Sequence, residues 1–444
     1  MEIPVKAKFR LTTLRRTVQF FLEHKFVAAL SVFCLSFAVR LAMLVYLGNI
    51  ERRGTGGVDS VALALLSKHQ FADPYFVATG PTAHTTPFYP MVVAGVYALF
   101  GHGSMGHLVR SLLVIGAYSL LYSSFIWLAR NFGFSEGVGL IAGVSAALLP
   151  VKRSAEVFWG WEEPYAAMGL AVLLLLTLRH WRAPCRKARM ALLLGVGWGA
   201  VFYISFSLAA VLAGVILMDF VMRPSWATVR DQALIVLAAV AVMSPWVIRN
   251  SVELHGLVLM RTAFGQNLWC SNNDRARPSV ELINTDPIAR GMYPYNSSQE
   301  ALKVRQMGEA AYDRYDLQRA LQWTRQNPRK FAHLSLLRFL YFWGGPFGHR
   351  FEHIVTTLYT LTGLLGLFFM KRYVGILQWQ LWIATLVSFP TIYYFVQYVN
   401  RYRTPIDWMI WMSAGQALIV ITRRVWPESV IAERTTSEPM ILAA

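Results

Sequence analysis

The sequence predicts an all-α polytopic membrane protein. Its 444 residues are 55% hydrophobic and only 15% charged, which is more apolar and less charged than ordinary soluble domains. Apolar runs long enough to cross a bilayer as helices recur from one end to the other. The formal net charge of +18 indicates either Lys- and Arg-rich cytoplasmic loops or affinity for anions such as lipid head groups and phosphates.

The apolar segments number about twelve, and we expect about 10–13 transmembrane or partial helices. Two hydrophilic gaps interrupt them, at 49–85 and 249–330. A short helix is expected at 59–69, where Asp59 follows two glycines as an N-cap residue does. The apolar segments lie near 26–47, 86–101, 107–129, 134–151, 164–179, 189–205, 206–222, 231–248, 331–345, 353–370, 374–396 and 405–421.

Basic loops predict which side of the membrane each segment faces. The loop R-H-W-R-A-P-C-R-K-A-R at 179–189 and the pairs Lys371-Arg372 and Arg423-Arg424 are expected in the cytoplasm. The N-terminus is expected there too, since no cleavable signal peptide is evident. Both hydrophilic gaps then lie outside.

Crossing parity requires partial helices. Between 86 and 151 an even number of crossings is needed, yet three apolar segments are present, and the stretch 331–370 poses the same problem. Partial helices are tolerated at membrane depth where they are buried in protein or line a wet cavity. This pattern is typical of an active site at the outer interface.

Three parts of the chain follow from these boundaries. We expect residues 1–248 to form a transmembrane module in which the first outer loop, 49–85, would carry catalytic residues. Residues 249–330 form an outer, periplasmic cap with helical character at 298–327, and residues 331–444 form C-terminal transmembrane helices and a cytoplasmic tail. We expect a multi-pass protein of a bacterial inner membrane, with its active site facing the periplasm.

Several site classes are disfavoured. Cys34, Cys185 and Cys270 are far apart with no CxxC, which argues against disulfide frameworks and cysteine metal sites. No basic soluble domain exists to bind nucleic acid. No cofactor is predicted, and a dedicated divalent metal site is not indicated because Asp59 has no second acid nearby in sequence.

Four outer polar residues are candidate site residues. Asp59 is either a helix cap or a general base for a hydroxyl acceptor. His84, in H-T-T-P-F-Y-P, is either a satisfied polar contact or a donor to a phosphate oxygen. Glu162 and Glu163 precede a helix, where they either offset its positive end or supply a second carboxylate that orients a sugar hydroxyl.

Arginines outside the membrane run against the positive-inside tendency. Arg249 ends P-W-V-I-R, and Arg401 and Arg403 lie in N-R-Y-R-T-P-I. Because guanidinium groups fork onto phosphate oxygens and keep their charge, a pyrophosphate or phosphodiester at the outer leaflet would account for them. Arg40 and Arg110 lie within apolar segments, where ionisable residues are functional candidates by default.

These motifs together resemble the GT-C superfamily of membrane glycosyltransferases, within the group that holds protein O-mannosyltransferases and the lipid A aminoarabinose transferase. The resemblance covers roughly residues 26–421, and it depends on the order and spacing of soft motifs. They are G-V-D at 57–59, P-F-Y-P-M-V-V-A-G-V-Y-A-L-F-G at 87–101, E-E at 162–163, P-W-V-I-R-N at 245–250, N-L-W-C-S-N-N-D at 267–274, N-P-R-K-F-A-H-L at 327–334 and R-Y-R-T-P-I at 401–406.

The resemblance implies a GT-C-like helical bundle and an inverting sugar transfer. A polyprenyl-phosphate-linked sugar would be the donor, and a hydroxyl of a lipid, glycan or protein would be the acceptor. Asp59 would act as general base, while His84, Arg401 and Arg403, with Tyr402 and Arg249 beside them, would bind the lipid phosphate. The membrane lipid is the other implied partner.

Two departures from the family pattern affect this assignment. Many relatives carry a second acid directly after the first, where this chain has Ser60. The aminoarabinose transferases carry a Lys ahead of the proline entry, where this chain has Thr85 and Thr86. A transporter or flippase for a lipid-linked glycan is the rival interpretation, but it predicts charges near the midplane and two similar halves, and neither is evident. A scaffolding subunit would leave Asp59 without a role.

Overall fold

The computed structural model describes residues 19–46, 57–149, 161–348 and 350–425. Regular structure in these ranges is helical, and extended segments pair only as isolated bridges, Ala72 with Pro81 and Ser279 with Tyr398. The N-terminal basic segment, the start of the first outer loop and the predicted cytoplasmic tail lie outside the described residues. The prediction of an all-α membrane fold is confirmed.

The helices follow the predicted order of apolar segments. They are α1 (Lys25–Tyr46), α2 (Gly57–Lys68), α3 (Phe88–Phe100), α4 (Ser104–Ser123), α5 (Phe125–Phe132), α6 (Glu136–Leu148), α7 (Glu163–Arg182), α8 (Ala188–Ile204), α9 (Ala209–Met222), α10 (Trp226–Glu253), α11 (Phe264–Ser271), α12 (Val280–Asn284), α13 (Pro287–Arg290), α14 (Ser298–Met307), α15 (Glu309–Gln326), α16 (Pro328–Gly344), α17 (Arg350–Tyr373), α18 (Ile376–Ser388) and α19 (Thr404–Val425).

Five stretches of helix are long and apolar enough to cross a membrane: Lys25–Tyr46, Ser104–Phe132, Glu163–Arg182, Trp226–Glu253 and Arg350–Tyr373. Other apolar helices are shorter. At 13 residues each, α3 and α6 are only about 20 Å long, less than the roughly 30 Å of a hydrocarbon core. Partial helices therefore occur between 86 and 151, where crossing parity requires them.

The bundle packs through small residues and a continuous apolar core. α8 lies along α10, α17 along α19, and α1 against α4 and α6. On α8, Gly199 permits close approach, because a Cβ there would lie 2.9 Å from the carbonyl oxygen of Ala239 on α10. Fully buried Trp198, Trp382 and Trp408 fill the largest spaces in the core.

The cap region, residues 249–330, is built from the short helices α11 to α15. Ser297 caps α14 by accepting a hydrogen bond from the backbone N–H of Glu300, as expected for Ser followed three residues later by Glu. α11 packs against α15. Residues 249–330 thus consist of short helices and turns, and their position as an outer cap stays a prediction.

Buried arginines satisfy carbonyl groups where membrane helices end. Arg40, fully buried in α1, donates to Ala146 and Ala147 at the end of α6 over 3.1 Å. Arg403 donates to Phe342 and Trp343 at the end of α16 over 3.1 and 2.9 Å. Since the last carbonyls of a helix have no partner within the helix, these cations allow partial helices to end inside the protein.

Candidate active site

A cavity of about 380 Å³ lies between the cap and the membrane helices, within the size range of small-molecule sites. Five interruptions of α-helix meet there: 84–86 before α3, 161–163 at the start of α7, 205–208 between α8 and α9, 261–263 before α11, and 392–403 before α19. Its polar and aromatic lining consists of His84, Thr85, Thr86, Trp161, Glu162, Glu163, Ser205, Phe206, Ser207, Arg261, Thr262, Phe264, Asn267, Tyr295, Tyr393, Arg401 and Tyr402.

Glu163 and Arg401 form an ion pair in the cavity wall. Glu163 is the first residue of α7, and Arg401 lies in a 3₁₀ turn before α19. The guanidinium of Arg401 lies 3.9 Å from the ring centroid of Trp161. Although burial works to lower it, the pKa of Arg401 is raised by the negative charges of Glu163 and Glu162. The sequence prediction that these two loops share one side is consistent with this contact.

Two further charged groups line the cavity without a partner. Glu162 and Arg261 each contribute to the lining, and neither side chain makes a hydrogen bond or ion pair within the described ranges. The cavity therefore offers one carboxylate and one guanidinium to a bound molecule, beside an ion pair that is already formed. Arg261 was not a sequence candidate.

His84 is buried and uncharged. Its Nδ1 lies 2.9 Å from the Tyr75 hydroxyl, and its Nε2 is hydrogen-bonded to the Tyr295 hydroxyl. Burial, together with the positive charge of Arg261, lowers the pKa of His84 to about 3. The imidazole is therefore neutral at physiological pH, and both of its nitrogens are occupied by tyrosines.

Glu309 at the start of α15 joins the two loops that carry His84 and Arg261. Its carboxylate accepts hydrogen bonds from the Thr82 and Thr262 hydroxyls, each at 2.5 Å, and from the backbone N–H of Ala83 at 2.8 Å. Burial raises the pKa of Glu309, while the bonds from these three groups oppose the shift. Thr86, two residues after His84, donates to the Ile204 carbonyl at 2.8 Å, which fixes this loop to the end of α8.

Asp59 is not among the residues that line the cavity. It is 6% exposed, pairs with Arg110 of α4 and accepts a hydrogen bond from the Tyr97 hydroxyl at 2.7 Å. Arg110 also donates to the Tyr89 hydroxyl at 3.2 Å. The structure thus brings Asp59 together with the polar side chains of α3 and α4.

The other predicted arginines serve backbone groups. Arg249 donates to the carbonyls of Phe71 and Thr82 over 2.8 and 2.6 Å, and so holds the first outer loop. Arg403 is 1% exposed and pairs with Asp407 at 2.5 Å. Tyr402 lines the cavity, with its ring centroid 4.7 Å from that of Tyr393.

The residues that sequence reasoning missed are Arg261, Tyr295 and Glu309. The charge argument that singled out Arg249 applies equally to Arg261, which lies in the same outer gap. Tyr295 and Glu309 carry no signal in a single sequence. In the described ranges, no group of three or more His, Cys, Asp and Glu side chains is placed to hold a metal ion.

No protein-family model and no curated protein sequence matches the chain. Among solved structures, it resembles the Archaeoglobus fulgidus oligosaccharyltransferase tethered with an acceptor peptide, at 13% identity and a TM-score of 0.53 over 89% of this chain and 50% of that one. The apo form of that enzyme gives 12% identity and a TM-score of 0.52 over 90% and 51%. The chain therefore spans about half the length of that oligosaccharyltransferase.

ArnT from Cupriavidus metallidurans bound to undecaprenyl phosphate also matches, at 11% identity over 89% of this chain and 79% of that one, with a TM-score of 0.33. Only the oligosaccharyltransferase superpositions are close enough to bear on architecture, and at such identities they bear on the fold alone. These superpositions cover about nine-tenths of this chain, so they concern its overall arrangement of helices. The chain therefore shares its fold with that oligosaccharyltransferase, in agreement with the GT-C-like helical bundle that its motifs predicted.

Proposed function

We propose that the protein is an inverting glycosyltransferase that moves a sugar from a polyprenyl-phosphate donor to a hydroxyl acceptor at the outer face of the membrane. The observation that supports this most directly is the charge pattern of the cavity. The Arg261 guanidinium and the Glu162 carboxylate, which have no hydrogen bond or ion pair to any residue that the structure describes, line one space beside the Glu163–Arg401 pair. Phosphate binding and proton removal require these two kinds of group.

The phosphate of the donor would bind at Arg261 and Arg401. The donor is a phosphodiester with one negative charge, and the lipid phosphate that leaves is a monoester that approaches two negative charges near neutral pH. Guanidinium groups held in place therefore stabilise the transition state more than the bound donor. Arg401 is held for this purpose by Glu163 and the Trp161 ring.

Glu162 is the carboxylate that the cavity geometry supports as general base, because it is available to an acceptor hydroxyl. Asp59, to which the family resemblance assigns this role, would first have to exchange its bonds with Arg110 and Tyr97. Aromatic walls from Trp161, Phe206 and Tyr393 suit the apolar faces of a sugar ring and the first isoprene units of the lipid.

Transfer by purified protein tests the proposal. Protein in detergent is given defined polyprenyl-phosphate sugars and hydroxyl acceptors, and glycosylated acceptor and free polyprenyl phosphate are measured together. Arg261→Gln should lower turnover by about 10²- to 10³-fold, the usual loss when a group that stabilises transition-state charge is removed. The matched control is Arg305→Gln on α14, since Arg305 is exposed and its side chain makes no hydrogen bond or ion pair within the described chain.

The rival transporter function predicts a different result. Detergent-solubilised protein would release no polyprenyl phosphate from any donor, whereas the protein in sealed vesicles would move the intact glycolipid from one leaflet to the other. That combination would overturn the proposal, as would wild-type turnover by Arg261→Gln.

A further inference from the structure

Four side chains connect the interior of the cap to the cavity through hydrogen bonds. Gln266 of α11 lies at one end, with its amide oxygen 3.2 Å from the Tyr75 hydroxyl. Tyr75 contacts Nδ1 of His84 at 2.9 Å, and Nε2 of His84 contacts the Tyr295 hydroxyl. Tyr295 lines the cavity, so the chain of bonds ends where a substrate binds.

The uncharged imidazole makes this chain directional. A neutral histidine has one N–H donor and one bare nitrogen acceptor. One tyrosine must therefore donate to His84 while the other accepts from it. Whichever direction holds at Tyr75 fixes the direction at Tyr295, and so determines whether the Tyr295 hydrogen is available to the cavity.

Gln266 sets the direction. The residue is 1% exposed, and its amide nitrogen has no partner among the described residues. A buried N–H without a partner is rarer in native proteins than an under-satisfied carbonyl, and the two ends of an amide have the same shape. With the amide nitrogen turned to Tyr75, Tyr75 donates to Nδ1, and the Nε2–H of His84 donates to the Tyr295 oxygen. The hydrogen of Tyr295 then remains for the cavity.

Tyr295 is well placed to use that hydrogen. Burial raises the pKa of its hydroxyl, so the group stays protonated, and the positive charges of Arg261 and Arg401 both act on it. Its ring is confined by α2, since a Cβ at Gly57 would lie 3.2 Å from Cε1 of Tyr295. The neutral Tyr295 hydroxyl is therefore a hydrogen-bond donor close enough to Arg261 and Arg401 to interact with their charges.

We propose that Tyr295 donates a hydrogen bond to the leaving phosphate and that His84 is a positioning residue that holds it in the donating state. This inference rests on the proposed function. In the transfer, the bond from the anomeric carbon to the phosphate oxygen breaks and keeps its electron pair on phosphate. The acceptor oxygen bonds to that carbon, and its proton passes to the carboxylate base. The Tyr295 bond strengthens as charge builds on the phosphate.

A double-mutant cycle on binding of polyprenyl phosphate tests the relay. Tyr295→Phe should weaken binding roughly 10- to 100-fold, the range for a hydrogen bond to a charged group. His84→Leu should weaken it to a similar degree, and the double variant should bind no worse than Tyr295→Phe. His84→Gln should restore most of the affinity, because its amide N–H can still donate to Tyr295.

Matched controls separate the relay from a structural effect. Tyr203→Phe removes a hydroxyl that donates to a backbone carbonyl, that of Val242, at 3.1 Å; Tyr203 is not among the lining residues, and its variant should bind as wild type does. Tyr295→Phe and His84→Gln are close in shape to the native residues, so the cycle can be read even if His84→Leu fails to fold.

Two outcomes overturn the relay. Additive losses in the double variant, or wild-type affinity in His84→Leu, would show that the two residues act separately. If Arg261→Gln still weakens binding in that case, the proposed function stands without the relay. Absence of polyprenyl phosphate binding and of transfer in the wild type would instead remove the proposed function, and the relay with it.

Discussion

Two carboxylate–arginine pairs of the same chemistry lie near the candidate site, and only one belongs to the cavity. Asp59 and Arg110 meet between α2 and α4, with Tyr97 completing the contact. Glu163 and Arg401 meet between the start of α7 and the turn before α19, where both line the cavity. Asp59, Arg110 and Glu163 are buried, whereas Arg401 is 18% exposed, so charge alone does not distinguish the two pairs.

The difference lies in what surrounds each pair. Asp59 accepts bonds from side chains of packed helices, whereas the Glu163–Arg401 pair lies where helices are interrupted. Its cavity neighbours Glu162 and Arg261 have no hydrogen bond or ion pair within the described part of the chain. In a membrane chain an ionisable residue at depth is a functional candidate. In this protein, the criterion that separates the two pairs is whether the residue lies at a break between helices that lines a cavity.

Removal of each candidate base gives the largest expected contrast. Glu162→Gln should lower turnover by about 10²- to 10⁴-fold, the usual contribution of general base catalysis, with little change in binding of polyprenyl phosphate. Asp59→Asn should retain much more activity. Steady-state transfer assays on both variants measure this contrast, and the reverse ranking would return the base role to Asp59.

Breaking the cavity pair should affect chemistry more than folding, because Arg401 is partly exposed and water in the cavity can reach Glu163 when the guanidinium is removed. Arg401→Gln should lower turnover by about 10²- to 10³-fold through lost charge stabilisation of the leaving phosphate. Transfer kinetics and thermal unfolding in detergent should be measured on the same preparation. A normal rate with a large loss of stability would make Arg401 a structural residue.

Breaking the other pair should do the opposite. Arg110→Gln leaves the Asp59 carboxylate buried without its cation, and removing one partner of a buried ion pair costs about 3–5 kcal/mol of the free energy of unfolding. The thermal transition should fall sharply while the folded fraction keeps its affinity for polyprenyl phosphate. The double variant Arg110→Gln/Asp59→Asn should recover part of the stability, and no recovery would argue against a paired role.

The smallest expected effect is a pH dependence from His84. The unfolded chain takes up a proton on this residue below pH 6.5, whereas the folded protein does not until about pH 3. Stability should therefore fall as pH drops below 6.5, by up to about 1.4 kcal/mol per pH unit. His84→Gln should show a shallower fall in thermal stability between pH 6.5 and 5, and an equal slope would contradict a neutral His84.

Sequence reasoning predicted the fold class, the partial helices and a shared side for the Glu162–Glu163 and Arg401–Arg403 loops. The lengths of the apolar segments predict the helices, and the positions of the basic loops predict which side each loop is on. It could not separate Arg401 from Arg403, which are two residues apart in one turn. One faces the cavity and the other donates to the end of α16. Lining a cavity and donating to the carbonyls of a helix end both require a cation near a helix end, so a single sequence cannot distinguish these two roles.

Long-range pairing was equally hidden. Asp59 and Arg110 are 51 residues apart, and no spacing rule connects residues on two different helices. Arg261 stands in no motif, since it follows the apolar run V-L-M, and only the charge argument made for Arg249 could have singled it out. Its role depends on Glu309, 47 residues beyond Thr262, which fixes the loop that carries it.

The carboxylate of Glu309 links the cap to the membrane module, so that the sequences of the two parts are expected to evolve together. Thr82 and Ala83 belong to the loop that enters α3, while Thr262 and Glu309 belong to the cap, and one side chain joins all of them. A cap with new acceptor preferences could therefore be exchanged between related enzymes only if these four positions travelled as a set. A recombinant that combined the cap of one enzyme with the loop of another, without matching residues at these positions, would leave the buried Glu309 carboxylate without its hydrogen-bond donors.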